Sequence, residues 1–224
     1  MKNFFFVAAF ALLAVACSNA PKGDKTKVSE AQEVKKDVVA AEEYKLIADS
    51  SSIAWVGTKP SGQHNGSVSF QSGTLQVKEG EVVGGSFVAD MTSIDVLDLD
   101  RESEWHGKLV GHLKDKDFFH VDSFPTGKFE IVSVEKLASV EAKDDIQATH
   151  KLTGNLELKG ISKSISLLAQ ISVEGGVVKA QTAKIVVDRT EWDIKYKSKK
   201  FFEELKDKFI SDDFSLAITL QAAK

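Results

Sequence analysis

The side chains best able to do chemistry in this 224-residue chain are five histidines, one cysteine and several paired carboxylates. A zinc pair on a helix needs histidines four apart, so that both rings share a face. His106 and His112 are six apart, roughly 240° around an ideal helix, and their rings diverge. His112, Asp117 and His120 could converge in a loop as a metal-assisted set. The plainer reading, solvated or locally hydrogen-bonded groups, is the favoured one. No serine sits in a G-x-S-x-G elbow, and no glycine-rich phosphate cradle follows a strand. The acid pairs Asp98/Asp100, Asp144/Asp145 and Asp212/Asp213 fall where turns and caps call for acids. Cys17 is the only cysteine, which excludes an intrachain disulfide. These residues offer no catalytic constellation, and neither a metal nor a cofactor is expected. The net charge of −4 is mixed in sign along the chain, without the basic patch that nucleic acid requires.

Cys17 has a different context. The opening "MKNFFFVAAFALLAVACSNA" carries one early lysine and then an unbroken apolar run from Phe4 to Ala16. That run is shorter than the roughly 20 apolar residues of a membrane span, and it has the layout of a secretory signal. "AVAC" resembles the bacterial lipobox, whose cysteine becomes the lipidated N-terminus, although Ala14 stands where leucine is usual. The alternative is an ordinary signal peptide that leaves a free thiol. Residues 1–17 are therefore expected to be a lipoprotein signal ending at Cys17. The protein is accordingly expected in the bacterial cell envelope, lipid-anchored in the periplasm or at the outer membrane. Residues 18–43 are rich in Lys, Glu, Asp and Ala without apolar periodicity, and are expected to be a flexible charged tether. Residues 44–224 suffice for one domain with its own core.

Within that domain the pattern has period two. Ile53 and Trp55 share a face, as do Val68 and Phe70, and then Leu75 and Val77. Val83, Phe87, Ala89 and Met91 align, and so do Leu152, Leu156 and Leu158. Ile165, Leu167, Ala169, Ile171 and Val173 alternate strictly, as do Phe214, Leu216, Ile218 and Leu220. Such alternation, cut by Gly-containing turns, predicts half-buried antiparallel strands. Two stretches break it. Trp105, Leu109 and Leu113 have helical spacing, and so do Phe201, Leu205 and Phe209, with Ser198 able to serve as their N-cap. The expected fold is all-β, an eight-stranded antiparallel barrel with two short helices. Closure removes exposed strand edges. The interior of such a barrel is either filled by side chains or holds one small ligand, and periodicity does not choose between them.

Four segments, read together, resemble the YceI-like family. They are "WVGTKPSGQHNGSVSFQSGTLQVKEGEVVGGSFVADMTSIDV" (55–96), "KLVGHLKDKDFFHVDSFPTGKFE" (108–130), "LTGNLELKGISKSISL" (152–167) and "VDRTEWDIKY" (187–196). They occur in the family's order across nearly the whole domain. The resemblance implies a lipocalin-like barrel, exported to the envelope, that binds long isoprenoid or similar amphiphilic lipids. One departure stands out: Lys197 and "YKSKKFFEELKDKF" (196–209) replace a small glycine-containing step, and the extra helix expected there could close one end of the barrel.

On this reading the candidate ligand-binding interior or rim comprises Trp55, Phe70, Phe87, Met91, Leu109, Leu113, Phe118, Phe119, Phe129, Leu156, Ile171 and Phe201. Phe118, Phe119 and Phe124 lie in a short polar connection, where they either wedge the first helix on the barrel or simply anchor the core. The expected function is that of a tethered, non-catalytic binder or carrier of an isoprenoid-like lipid. A side-chain-filled interaction module is the alternative, and a metal-assisted enzyme a distant third. A homodimer is open.

Overall fold

Alternating apolar side chains set the architecture, because each strand must turn one face away from water. The computed structural model describes residues 20–34 and 40–224, so the apolar leader and Cys17 lie outside the described residues. The strands run in the order β1 (Asp24–Lys25), β2 (Ser29–Glu30), β3 (Glu42–Leu46), β4 (Ser52–Lys59), β5 (Gly62–Lys78) and β6 (Glu81–Val96). Helix α1 (Glu104–Lys114) follows, then β7 (Thr126–Lys143), β8 (Ile146–Leu158), β9 (Ile161–Glu174), β10 (Val177–Thr182), β11 (Ile185–Asp188) and β12 (Asp213–Ala223).

Antiparallel ladders join β4 to β5 and continue through β6, β7, β8, β9 and β10 to β12, which pairs back onto β4. Eight strands thus close into the expected ring. β3 extends the β4 side of the ring between β5 and β12, and β11 extends the β10 side along β12.

Bulges keep the apolar set pointing inward. In β5, Val68 and Phe70 are even-numbered but Leu75 and Val77 are odd, and all four are buried. A register shift between Phe70 and Ser72 switches the phase, as an extra residue in one strand must. A second shift beside Val77 places Val82 inside and leaves Val83 only half-buried. The inward assignment of Val83 is thereby corrected.

Ser103 caps α1, its hydroxyl accepting from the His106 N–H at 3.1 Å. Leu113 is buried and Leu109 packs against the core, but Trp105 is 70% exposed, so the buried stripe is shorter than its spacing suggests. The second expected helix does not form. Between Ser198 and Ile210 there is only a 3-10 turn at Glu203–Leu205. Within that stretch Lys206 adopts a φ of 49°, which an α-helix does not tolerate, and the Ile210 N–H closes a loop onto the Lys197 carbonyl at 2.9 Å.

Part of the expected flexible tether is ordered. β1 pairs in parallel with β11, and β2 antiparallel with β9. Backbone pairing and side-chain hydrogen bonds hold it in place, with little apolar burial.

Candidate binding cavity

Each barrel strand contributes an inward row: Ile53 and Trp55 from β4, Phe70 from β5, Phe87 and Met91 from β6, Phe129 and Ile131 from β7. Leu152 and Leu156 come from β8, Ile165, Leu167 and Ile171 from β9, Ala180 from β10, and Phe214, Leu216 and Ile218 from β12. Together they enclose a cavity of about 200 Å³. A single water needs only about 10–15 Å³ of such space, so the barrel is not filled by its own side chains. A void lined this way offers little hydrogen bonding to water and suits hydrocarbon.

Two glycines hold the lumen open. A Cβ on Gly66 would lie 2.4 Å from Cζ2 of Trp55, and one on Gly154 would lie 2.3 Å from Cζ of Phe129. Lacking Cβ atoms, these positions leave room for two of the rings that line the cavity. Phe70 and Phe87 meet at 6.0 Å between centroids, tilted by 60°, a favourable aromatic geometry.

One end of the barrel is capped. The connection after α1 and the long segment between β11 and β12 both emerge there, beside the β4–β5 and β8–β9 turns. Leu113, Phe118 and Phe119 reach the cavity, with Phe118 and Phe119 edge to face at 5.2 Å. Phe124 does not reach it; it packs on His120 at 5.6 Å and beside Gly160, whose φ of 72° makes room for the tight β8–β9 turn. The aromatic connection is therefore divided, two rings facing the cavity and one bracing the turn.

Arg189 is the cap's polar hub. It is 2% exposed and lines the cavity. Its Nε donates to the Ser211 carbonyl at 3.0 Å, and its terminal nitrogens donate to the Ile194 carbonyl at 2.6 Å and the Ile210 carbonyl at 3.1 Å. Asp212 approaches at 3.5 Å. Burial pulls the guanidinium below its usual value, while Asp212 and Asp188 oppose that shift. Burial also opposes ionisation of the neighbouring Asp188, but hydrogen bonds from Lys200 and Thr190 outweigh it and hold its pKa low. Arg189 was not among the sequence candidates. Its signal was an arginine immediately after the apolar strand "IVVD", where a side chain turning inward meets the cap.

Of the sequence candidates, Trp55, Phe70, Phe87, Met91, Leu113, Phe118, Phe119, Phe129, Leu156 and Ile171 lie on the cavity wall. Leu109 does not; it packs one turn earlier on α1 against the core. Phe201 does not either, and is 47% exposed because the helix that would have buried it is absent. His112, Asp117 and His120 are not drawn together as a ligand set. His112 Nδ1 is 3.8 Å from Asp117, while His120 Nε2 lies 2.9 Å from the Ser123 hydroxyl. Among the described residues no group of three or more His, Cys, Asp or Glu is placed to hold a metal. Nor is any helix among them long and apolar enough to cross a membrane.

Two solved structures share this architecture. BcnA of Burkholderia cenocepacia is 12% identical, with a TM-score of 0.60 over 80% of this chain and 99% of that one. A polyisoprenoid binding domain from Saccharophagus degradans, implicated in plant cell wall breakdown, is 14% identical with a TM-score of 0.53, over 80% and 97% respectively. At those identities the likeness is one of fold. No curated protein sequence matches the chain. The YceI-like domain matches in sequence from residue 44 to residue 222, which takes in the whole ring, the α1 cap and the Arg189 segment. On that extent the chain belongs to the YceI-like family.

Proposed function

We propose that this protein binds a long-chain hydrophobic ligand, isoprenoid-like in chemistry, inside the barrel, without catalysing a reaction on it. The observation that carries the reading is the hollow, apolar lumen ringed by eight strands. Each buried methylene contributes about 0.8 kcal/mol, so a tube of aliphatic and aromatic side chains suffices for affinity. The fold shared with a polyisoprenoid binding domain supports the same ligand class. Arg189, at the capped end, is the one charged side chain among the described residues that is both buried and on the cavity wall, and it is suited to face a polar head group.

The reading extends to location. Cys17 within "AVAC" is taken as the site of lipidation, which would tether the barrel to a membrane of the bacterial envelope. Purification of the full-length protein, followed by organic-solvent extraction and mass spectrometry, should recover a stoichiometric prenyl or similar lipid. An extract without lipid, from protein that also takes up no added prenol, rejects the binding reading. Cys17→Ser should move the protein from the membrane fraction to the soluble fraction; unchanged partitioning rejects the anchor and leaves the cavity reading standing.

A further inference from the structure

The ring has a weak seam. β10 pairs with β9 only from Ala169 to Glu174, and one further bond runs from the Ala183 N–H to the Leu168 carbonyl. Beyond that point the chain turns onto β12 as β11. Among the described residues no ladder joins β11 to the first half of β9. The N-terminal segment lies across this opening. Asp24 and Thr26 donate their N–H groups to the carbonyls of Lys184 and Val186 on the β11 side. On the β9 side, the Thr26 hydroxyl donates to the Ser166 carbonyl at 2.7 Å and accepts from its N–H at 3.1 Å. Ser29 and Glu30 then pair with Ser164 and Lys163. Gln32 finishes the strap, bonded to Asn155 in both directions and to Ser164.

We infer that this seam is the lateral entrance to the cavity and that residues 24–32 are its removable bar. Leu167 and Ile185 line both the internal cavity and the crevice beneath Asp24–Lys27, so these two side chains stand between the lumen and the strap. The strap's attachment is polar. Val28 is its one apolar contact with the core. Its ion pairs, Lys25–Asp213, Asp24–Lys143 and Glu30–Lys163, all involve at least one well-exposed partner. Exposed pairs of this kind are weak and salt-screened, and an element with few buried apolar contacts opens at the low end of a protein's local stabilities. Opening the seam leaves the ladders of β4 to β9 untouched.

The inference rests on the binding reading above, and it gives the tether a second use. Asp24 is seven positions along the chain from Cys17, a reach of at most about 25 Å when extended. A lipid at Cys17 would therefore hold the seam close to the bilayer, where a hydrophobic ligand could pass sideways without crossing water.

The test uses the full chain with Ser29→Cys and Ser164→Cys, a directly opposed strand pair at a separation a disulfide can span. Ser29→Cys alone is the control for pairing with Cys17. Uptake of N-phenyl-1-naphthylamine is followed by stopped-flow fluorescence. Oxidation of the double variant should slow uptake at least tenfold while leaving capacity unchanged, and reduction should restore the rate. Thr26→Ala, which loosens the strap without adding thiols, should accelerate uptake several-fold. Equal rates in oxidised, reduced and Thr26→Ala proteins would overturn the entrance while leaving the cavity as a binding site. Failure of the unmodified chain to take up the probe would overturn both.

Discussion

The guanidinium of Arg189 lies over the ring of Phe118, 5.6 Å from its centroid. One residue belongs to the segment after β11 and the other to the connection after α1, and both face the cavity. The contact ties the two halves of the cap together. It is a cation–π arrangement in a setting largely shielded from water, where such pairs are strongest.

Loss of Arg189 should therefore disturb the cap well beyond one contact. Arg189→Met strands three carbonyls and leaves Asp212 without its partner. A cost of about 3–5 kcal/mol is expected, read as a lowered midpoint in chemical denaturation. Arg189→Lys should recover little, because an ammonium cannot reproduce the planar fork that reaches three carbonyls. A lysine variant as stable as the parent would contradict this account.

The two cap phenylalanines should separate stability from capacity. Phe118 is buried and supports Arg189, so Phe118→Ala should cost about 3–5 kcal/mol. Phe119 is only half-buried and borders the lumen. Phe119→Ala should destabilise less and alter the length of lipid that co-purifies, as seen by mass spectrometry of extracts.

Gly154 offers a steric test of the lumen. A methyl there meets the Phe129 ring and, at 2.8 Å, the Glu130 carbonyl. Gly154→Ala should cost about 1–3 kcal/mol as overpacking and push the ring into the cavity, lowering bound lipid. Adding Phe129→Leu should restore part of both losses; failure of the double variant to recover either would show that the ring is not the obstruction.

Acid should weaken the seating of α1. Burial opposes ionisation of Asp95, but hydrogen bonds from His106 and the Val96 N–H, with Arg101 nearby, outweigh it and hold its pKa below the usual carboxylate value. Asp98 is held low likewise, by the Asn65 N–H and His64 against the same desolvation. A carboxylate whose pKa is depressed by folding contributes stability that is complete above its unfolded value and lost as pH falls through the folded one. Stability should thus decline below the ordinary carboxylate range. Asp95→Asn should flatten that decline in a series of denaturation curves taken at successive pH values.

Strand existence and facing were legible wherever alternation ran unbroken, as in Ile165, Leu167, Ala169 and Ile171. Val83 breaks the alternation, because a bulge changes phase without leaving a mark in composition. Phe201 sits in helical spacing, but Lys206 takes a positive φ that spacing does not encode. Arg189 was hidden because its partners are main-chain carbonyls, which are the same in every sequence. The strap was hidden because Thr26, Gln32 and Asn155 act through hydrogen bonds over long sequence distances, and composition registers such residues only as polar.

Those long distances have a kinetic side. Thr26 is 140 positions from Ser166, and Lys25 is 188 positions from Asp213. A chain made from its N-terminus carries these early residues unpartnered until nearly all of it has been synthesised. Loop closure of that length is slow, so sealing the wall is expected to be among the last events of folding, with the hydrocarbon lumen still open to its surroundings until then.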